Sequence, residues 1–222
     1  MAPASFVGPG FYLMAKYVFF VDGFNLYHAL DYTLQGPKHF RYRRYKWLNL
    51  HKLASLYVGR LDSLEKVILF TALATWDSGK VARHKLFIRA NENAGVEVVY
   101  GEFKRKDKHC HLCGKKYQSF EEKQTDVNIA LSLFSLAVSD GYDRAVIVSG
   151  DTDLIPAIKA VRASFPQKQI GVVIPIGRSS EDLLKHADFR FHMREQHLAS
   201  SRFPDQIVLA DDFTLECPVT WK

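Results

Sequence analysis

Four aspartates in this 222-residue chain sit where carboxylates can do chemistry. Asp22 ends the apolar run YVFFVD and is followed by GFN, which brings Asn25 to the same rim. Asp126 opens the helical pattern QTDVNIALSLFSLAV, and Asp151 and Asp153 stand two apart in AVIVSGDTDLIPAI, directly after another apolar run. Each has an ordinary structural use by itself. Asp151 and Asp22 can cap a following helix, and Asp126 and Asp153 can occupy a first turn, where the helix dipole favours negative charge. Gathered at one place, they are harder to accommodate. Two carboxylates about 5 Å apart repel by roughly 3 kcal/mol at an effective dielectric of about 20. Four of them stay ionised only if cations intervene. A hard divalent ion with oxygen ligands and water, Mg²⁺ or Mn²⁺, gives the simplest relief. Such an ion orients an attacking water and neutralises charge on a phosphodiester, so the chemistry implied is metal-assisted cleavage of a polyanion.

Whether the four converge depends on the elements that carry them. Residues 17–22, 66–72, 96–101, 144–150 and 169–176 read as strands, with a further short one at 189–193. Most are continuously apolar, as in strands covered on both faces. Helical patterns fall near 49–59, 79–93, 124–139, 153–163 and 179–186. The alternation predicts an α/β fold, a Rossmann-like three-layer sandwich around a central, mostly parallel sheet. Ligands of such sheets bind beyond the carboxyl ends of the strands, where Asp22, Asn25, Ser149, Asp151 and Asp153 would stand. On the 124–139 helix, Asp126 shares a face with Ala130, Leu133 and Ala137, and a carboxylate on that apolar stripe needs a partner.

The rest of the chain frames this site. Residues 1–16 read as a Pro/Gly-rich leader, 17–193 as the domain, and 194–222 as an apolar tail packing on the domain or on a partner. No apolar run reaches the roughly 18–20 residues that span a bilayer, so no membrane association is expected. Three cysteines make no disulfide framework, which fits a reducing cytoplasm. The net charge of +6 is concentrated in two stretches. The segment PKHFRYRRYKW interleaves Arg41, Arg43, Arg44 and Lys46 with Tyr42, Tyr45 and Trp47, a pattern suited to phosphates and unpaired bases, or to a solvated loop with inward-packed aromatics. Lys104–Lys123 reads as an inserted basic loop, in which Cys110 and Cys113 either stay reduced with no metal or offer two ligands of a structural zinc site. The remainder would come from His109 or His111, from Cys217, or from a second subunit. GRSSEDLL starts a helix after a strand end. It reads as a Ser179–Asp182 capping box whose amides, with Arg178, could instead hold a phosphate.

FVDGFNLY, EEKQTDVNIALSL, AVIVSGDTDLIPAI and PIGRSSEDLLKHADFRF, in that order, resemble the NYN domains of the PIN-like nuclease superfamily, in particular its bacterial LabA-like branch. The resemblance implies a metal-dependent ribonuclease whose acidic cluster corresponds to Asp22, Asp126, Asp151 and Asp153, with Asn25 as companion. Asn25 would orient Asp22 or a water, and Thr125, Asn128 and Ser149 would support the carboxylates. RNA is the expected partner and a homodimer is an open possibility. A haloacid-dehalogenase-type phosphatase would need a second Asp at position 24, where this chain has Phe24. No glycine-rich nucleotide fingerprint follows the first strand. The competing expectations are a non-catalytic regulator that binds metal and nucleic acid or protein, and a small-molecule enzyme on the same fold.

Overall fold

The computed structural model describes residues 14–31 and 42–222. The chain runs through β1 (Lys16–Asp22), α1 (Gly23–Asp31), a 3-10 turn (Arg43–Lys46), α2 (Leu50–Ser55), β2 (Ser63–Thr71), α3 (Ser78–Asn93) and β3 (Val96–Tyr100). It continues with β4 (Glu102–His109), β5 (Lys116–Lys123), α4 (Thr125–Val138), β6 (Arg144–Val148), α5 (Ile155–Ser164), β7 (Gln169–Ile174), α6 (Glu181–His186) and β8 (Phe189–His192). The tail adds α7 (Glu195–Ser201), β9 (Gln206–Val208) and β10 (Thr214–Glu216).

Six apolar strands form one parallel sheet in the order β3-β2-β1-β6-β7-β8. The chain lays β2 and β3 on one side of β1, then crosses to lay β6, β7 and β8 on the other. The order reverses between β1 and β6, which opens a crevice at their carboxyl ends. Side chains alternate across this sheet. Phe19 and Val21 join a cluster with Leu26, Leu50, Leu53 and Leu198, while Val18 and Phe20 join the opposite cluster with Ile129, Leu133, Ile158 and Leu183. Helices therefore cover both faces, and the fold is the three-layer α/β sandwich the sequence predicts. Among the described residues no helix is long and apolar enough to cross a membrane.

Lys104–Lys123 is not a loop. It is most of a β-hairpin, β4 with β5, paired antiparallel from Glu102↔Lys123 to His109↔Lys116 and separate from the main sheet. Lys and Glu are poor strand formers, so composition hides it. Cross-strand ion pairs from Lys106 (2.7 Å) and Lys108 (3.0 Å) to Glu121 help to hold it. At its base the Trp76 ring stacks on Phe120, centroids 3.8 Å apart, and meets Phe103 edge-on. Gly101 lets the hairpin leave the sheet, because a Cβ there would come within 2.7 Å of the Lys123 carbonyl oxygen. The tail packs on the domain. Trp47, Phe203, Leu209, Leu215, Cys217 and Trp221 form a third buried cluster beside α3.

Candidate active site

The strand alternation that builds the core also aims the acids. Asp22 follows Val18 and Phe20 onto the face covered by α4, and Ser149 follows Ala145 and Ile147 onto the same face. The two meet there, with Ser149 Oγ donating to Asp22 Oδ2 at 2.8 Å. The same hydroxyl accepts from the Asp151 N–H at 3.0 Å. Asp22 Oδ1 accepts from the Asn25 N–H at 2.9 Å, and Asn25 Oδ1 accepts from the Gly150 N–H at 3.1 Å. Asn25 thus ties the turn after β1 to the turn after β6, rather than reaching Asp22 with its side chain. Asp151 caps its own turn, accepting from the Asp153 N–H at 2.9 Å.

Asp22, Asn25, Asp126, Asp151 and Glu122 border one pocket of about 410 Å³. Glu122, on β5, was not among the residues expected here. The Thr125 N–H and hydroxyl both donate to its Oε1, so Thr125 supports Glu122 instead of an aspartate. The run EEK directly before QTD carried the signal, since Glu122 precedes Asp126 by four residues. Burial pushes the Asp22 carboxyl up to about 6, against the pull of its Asn25 and Ser149 hydrogen bonds, with Asp151 and Glu122 adding repulsion. Burial also lifts Asp126 to about 6, and Asp151, Asp22, Glu122 and Asp153 each raise it further. The acids therefore feel one another as a group.

Several expected residues lie elsewhere. Asp153 is exposed and does not border the pocket. The core face of α4 is Thr125, Ile129, Leu133 and Ala137, which leaves Asp126 half-buried at its edge. Asn128 donates to the Tyr100 carbonyl at 3.4 Å. The helix after β7 is capped at Ser180, not Ser179, with no side-chain cap bond, and Arg178 stands exposed near Gly150. Arg41 lies outside the described residues. Trp47 is fully buried, its Nε1–H donating to the Pro204 carbonyl at 2.8 Å. Tyr45 is buried against Glu195, and Lys46 is buried in an ion pair with Asp31. Trp47 and Tyr45 belong to the core and cannot stack on a nucleic acid, Lys46 borders a cavity with its charge paired to Asp31, and Tyr42, Arg43 and Arg44 of that stretch lie nearer the surface.

The donor set around the acidic pocket is all oxygen, as a hard divalent ion requires. Among the described residues, no three His, Cys, Asp or Glu side chains are arranged to hold a metal by themselves. Among the described residues neither His109 nor His111 forms such a group with Cys110 and Cys113. Cys217 is buried in the tail cluster.

Beside the acidic pocket lies a second, largely apolar cavity of about 360 Å³, bordered by Trp76, Phe103, His84, Lys80 and Arg83. Phe24 and Phe120 border both spaces. Burial holds the His84 imidazole down to about 4, and its Nε2 pairs with Thr71 Oγ1 at 3.0 Å, so it is neutral at physiological pH. Nothing in the sequence marked this cavity, because its walls come from α1, α3 and the hairpin.

A model of the NYN domain family matches residues 16–195. A relative from Pseudomonas putida, 6-hydroxy-3-succinoylpyridine 3-monooxygenase HspA, is 29% identical, the match covering 83% of this chain and 69% of that protein. A crystal structure of a protein of unknown function from Vibrio parahaemolyticus superposes with a TM-score of 0.56 at 18% identity, covering 82% of this chain and 94% of the other. That likeness is one of fold.

Proposed function

The chain belongs to the NYN domain family, and from that membership we propose that it is a Mg²⁺- or Mn²⁺-dependent ribonuclease. The observation that carries the reading is the meeting of Asp22, Asp126, Asp151 and Glu122, from four separate segments, around one pocket at the sheet's switch point. Asp22, fixed by two hydrogen bonds, would anchor the ion, with Asp126 and Asp151 facing it from α4 and the turn after β6. When bound, the ion would supply positive charge to the phosphate and acidify its water. Asn25 and Ser149 keep the two strand ends in register, so the acids hold their spacing. Lys123, which borders the pocket, and Lys104, near the foot of the hairpin, place cations beside an otherwise acidic pocket, which favours approach of a polyanion. The neighbouring aromatic cavity would accept the base next to the scissile phosphate by stacking.

The decisive experiment incubates the purified chain with a pool of single-stranded and structured RNAs in Mg²⁺ or Mn²⁺, then in chelator. Cleavage that needs the ion and disappears in Asp151→Asn and Asp126→Asn supports the reading. Cleavage that persists in both variants moves the site elsewhere.

One observation favours a second reading, conversion of a small aromatic substrate. The apolar cavity has its own cations, Lys80 and Arg83, and the relative from Pseudomonas putida is named for a pyridine substrate. Absence of RNA cleavage, together with saturable quenching of Trp76 fluorescence by aromatic acids, would favour it.

A further inference from the structure

The β4–β5 hairpin ends in Cys110-His111-Leu112-Cys113-Gly114, far from the acids at its base. Eight paired positions separate the two ends, and at about 3.4 Å per residue the tip stands roughly 24 Å from the base. The turn is closed by two backbone bonds, Cys110 N–H to the Lys115 carbonyl (2.9 Å) and Gly114 N–H to the Cys110 carbonyl (2.8 Å). Gly114 has φ +67°, a conformation L side chains rarely adopt, so the glycine lets the turn close just after Cys113.

This closure sets Cys110 and Cys113 three residues apart on one tight bend. The Cys113 and Leu112 amides and the Cys113 thiol hold the Cys110 thiol below its ordinary pKa. Backbone donors aimed at one sulfur, with a second sulfur alongside, form one half of a tetrathiolate zinc site. The half-site is open to solvent, with Cys113 exposed and Leu112 98% exposed. His109 ends the ladder directly before Cys110, and among the described residues no third ligating side chain joins the pair.

We infer that two copies of the chain meet hairpin tip to hairpin tip around one zinc ion, with Cys110 and Cys113 of each copy supplying the four thiolates. A two-fold axis through the ion turns two ligands per chain into a closed set of four, a self-complementary contact that ends at the dimer. Four thiols lose their protons to solvent, and four thiolates on Zn²⁺ leave a net charge of −2. Lys115 and Lys116, both at the tip and both exposed, offset that charge in both copies. Thiolates select zinc over the hard ion suited to the aspartates, so the two metals do not compete. The inference does not rest on the ribonuclease reading.

The test uses the full-length untagged chain, purified under a thiol reductant and examined by metal analysis and light scattering. One zinc per two chains, a dimer mass and the d–d spectrum of a tetrahedral tetrathiolate after Co²⁺ exchange are expected. The Cys110→Ser, Cys113→Ser double variant is expected to be monomeric and zinc-free, with its core melting unchanged. A second measurement guards against a distorted hairpin. Stripping zinc from the parent should give monomers, and adding back Zn²⁺, but not Mg²⁺, should restore the dimer. Zinc-free parent protein, one zinc per monomer, an intrachain Cys110–Cys113 disulfide under reductant, or a dimer that survives zinc removal would each overturn the inference. RNA cleavage measured on the same samples reports separately on the acidic pocket.

Discussion

Asp22 is 4% exposed, and its carboxyl is raised from its ordinary 3.8 to about 6. The folded chain holds this proton more tightly than the unfolded one. Its contribution to stability is therefore fully present below about pH 4 and is lost as pH rises through about 6. Asp126, also raised to about 6, acts in the same direction, weakened by its greater exposure. Metal-free protein is expected to melt at a lower temperature at pH 8 than at pH 5, and divalent ion should recover the difference at pH 8. Asp22→Asn keeps an acceptor for the Asn25 N–H and offers Ser149 Oγ a donor in place of an acceptor. That variant should be more stable than the parent at pH 8 in chelator, on the order of 2–3 kcal/mol for a shift of about two units. It should also lose both the pH dependence from this site and the stabilisation by Mg²⁺ or Mn²⁺. Thermal melts at the two pH values, with and without ion, read all three effects. A variant less stable than the parent in chelator at pH 8 would mean that the hydrogen bonds of the Asp22 carboxylate outweigh the cost of its burial.

The hairpin and α4 are positioned through one narrow crossing. At Gly101 a Cβ would lie 2.7 Å from the Lys123 carbonyl and 2.9 Å from Thr125 Oγ1. Gly101→Ala must therefore shift the foot of β5 and the start of α4, which carry Glu122 and Asp126. A loss of about 1–3 kcal/mol is expected from the crowding, with RNA cleavage falling more than tenfold. Urea unfolding and single-turnover cleavage separate the two, and full activity in that variant would show that the crossing does not set the acids. The same region marks the limit of what the sequence discloses. Continuous apolar runs such as VILF and AVIV declare buried parallel strands, and the rule for strand ends then brings Asp22 and Asp151 together. Three things stay hidden. The α1 helix begins with a glycine, which propensity disfavours, yet a Cβ at Gly23 would stand 2.8 Å from the Phe70 carbonyl, so α1 can pack against β2 only with glycine there. The hairpin is held by pairing partners that a one-dimensional reading cannot see. Trp47 and Tyr45 look like stacking platforms because charged residues flank them, and only the folded tail shows that they are covered.

The family match ends at residue 195, yet the packed core does not. Trp47 meets Phe203 and Trp221 with ring centroids 5.6 and 6.5 Å away, and its carbonyl accepts the Phe203 N–H at 2.9 Å. Leu48 bridges to Arg202, whose guanidinium holds Asp205 at 2.7 Å. Trp221 is 6% exposed and also borders the aromatic cavity, so one residue near the end of the chain serves both packing and the shape of that space. Trp221→Ala should destabilise the whole molecule by about 3–5 kcal/mol, the usual result of truncating a buried tryptophan. It should also enlarge the apolar cavity, which Trp221 borders and Asp22 does not, weakening whatever binds there while leaving the acidic pocket intact. The expected pattern is lower stability in urea, weaker binding of substrate, and a metal-dependent melting shift equal to the parent's. Stability within about 1 kcal/mol of the parent would mean that the tail is an accessory rather than part of the core. A lost metal response would mean that the two spaces are mechanically coupled through Phe24 and Phe120, which border both.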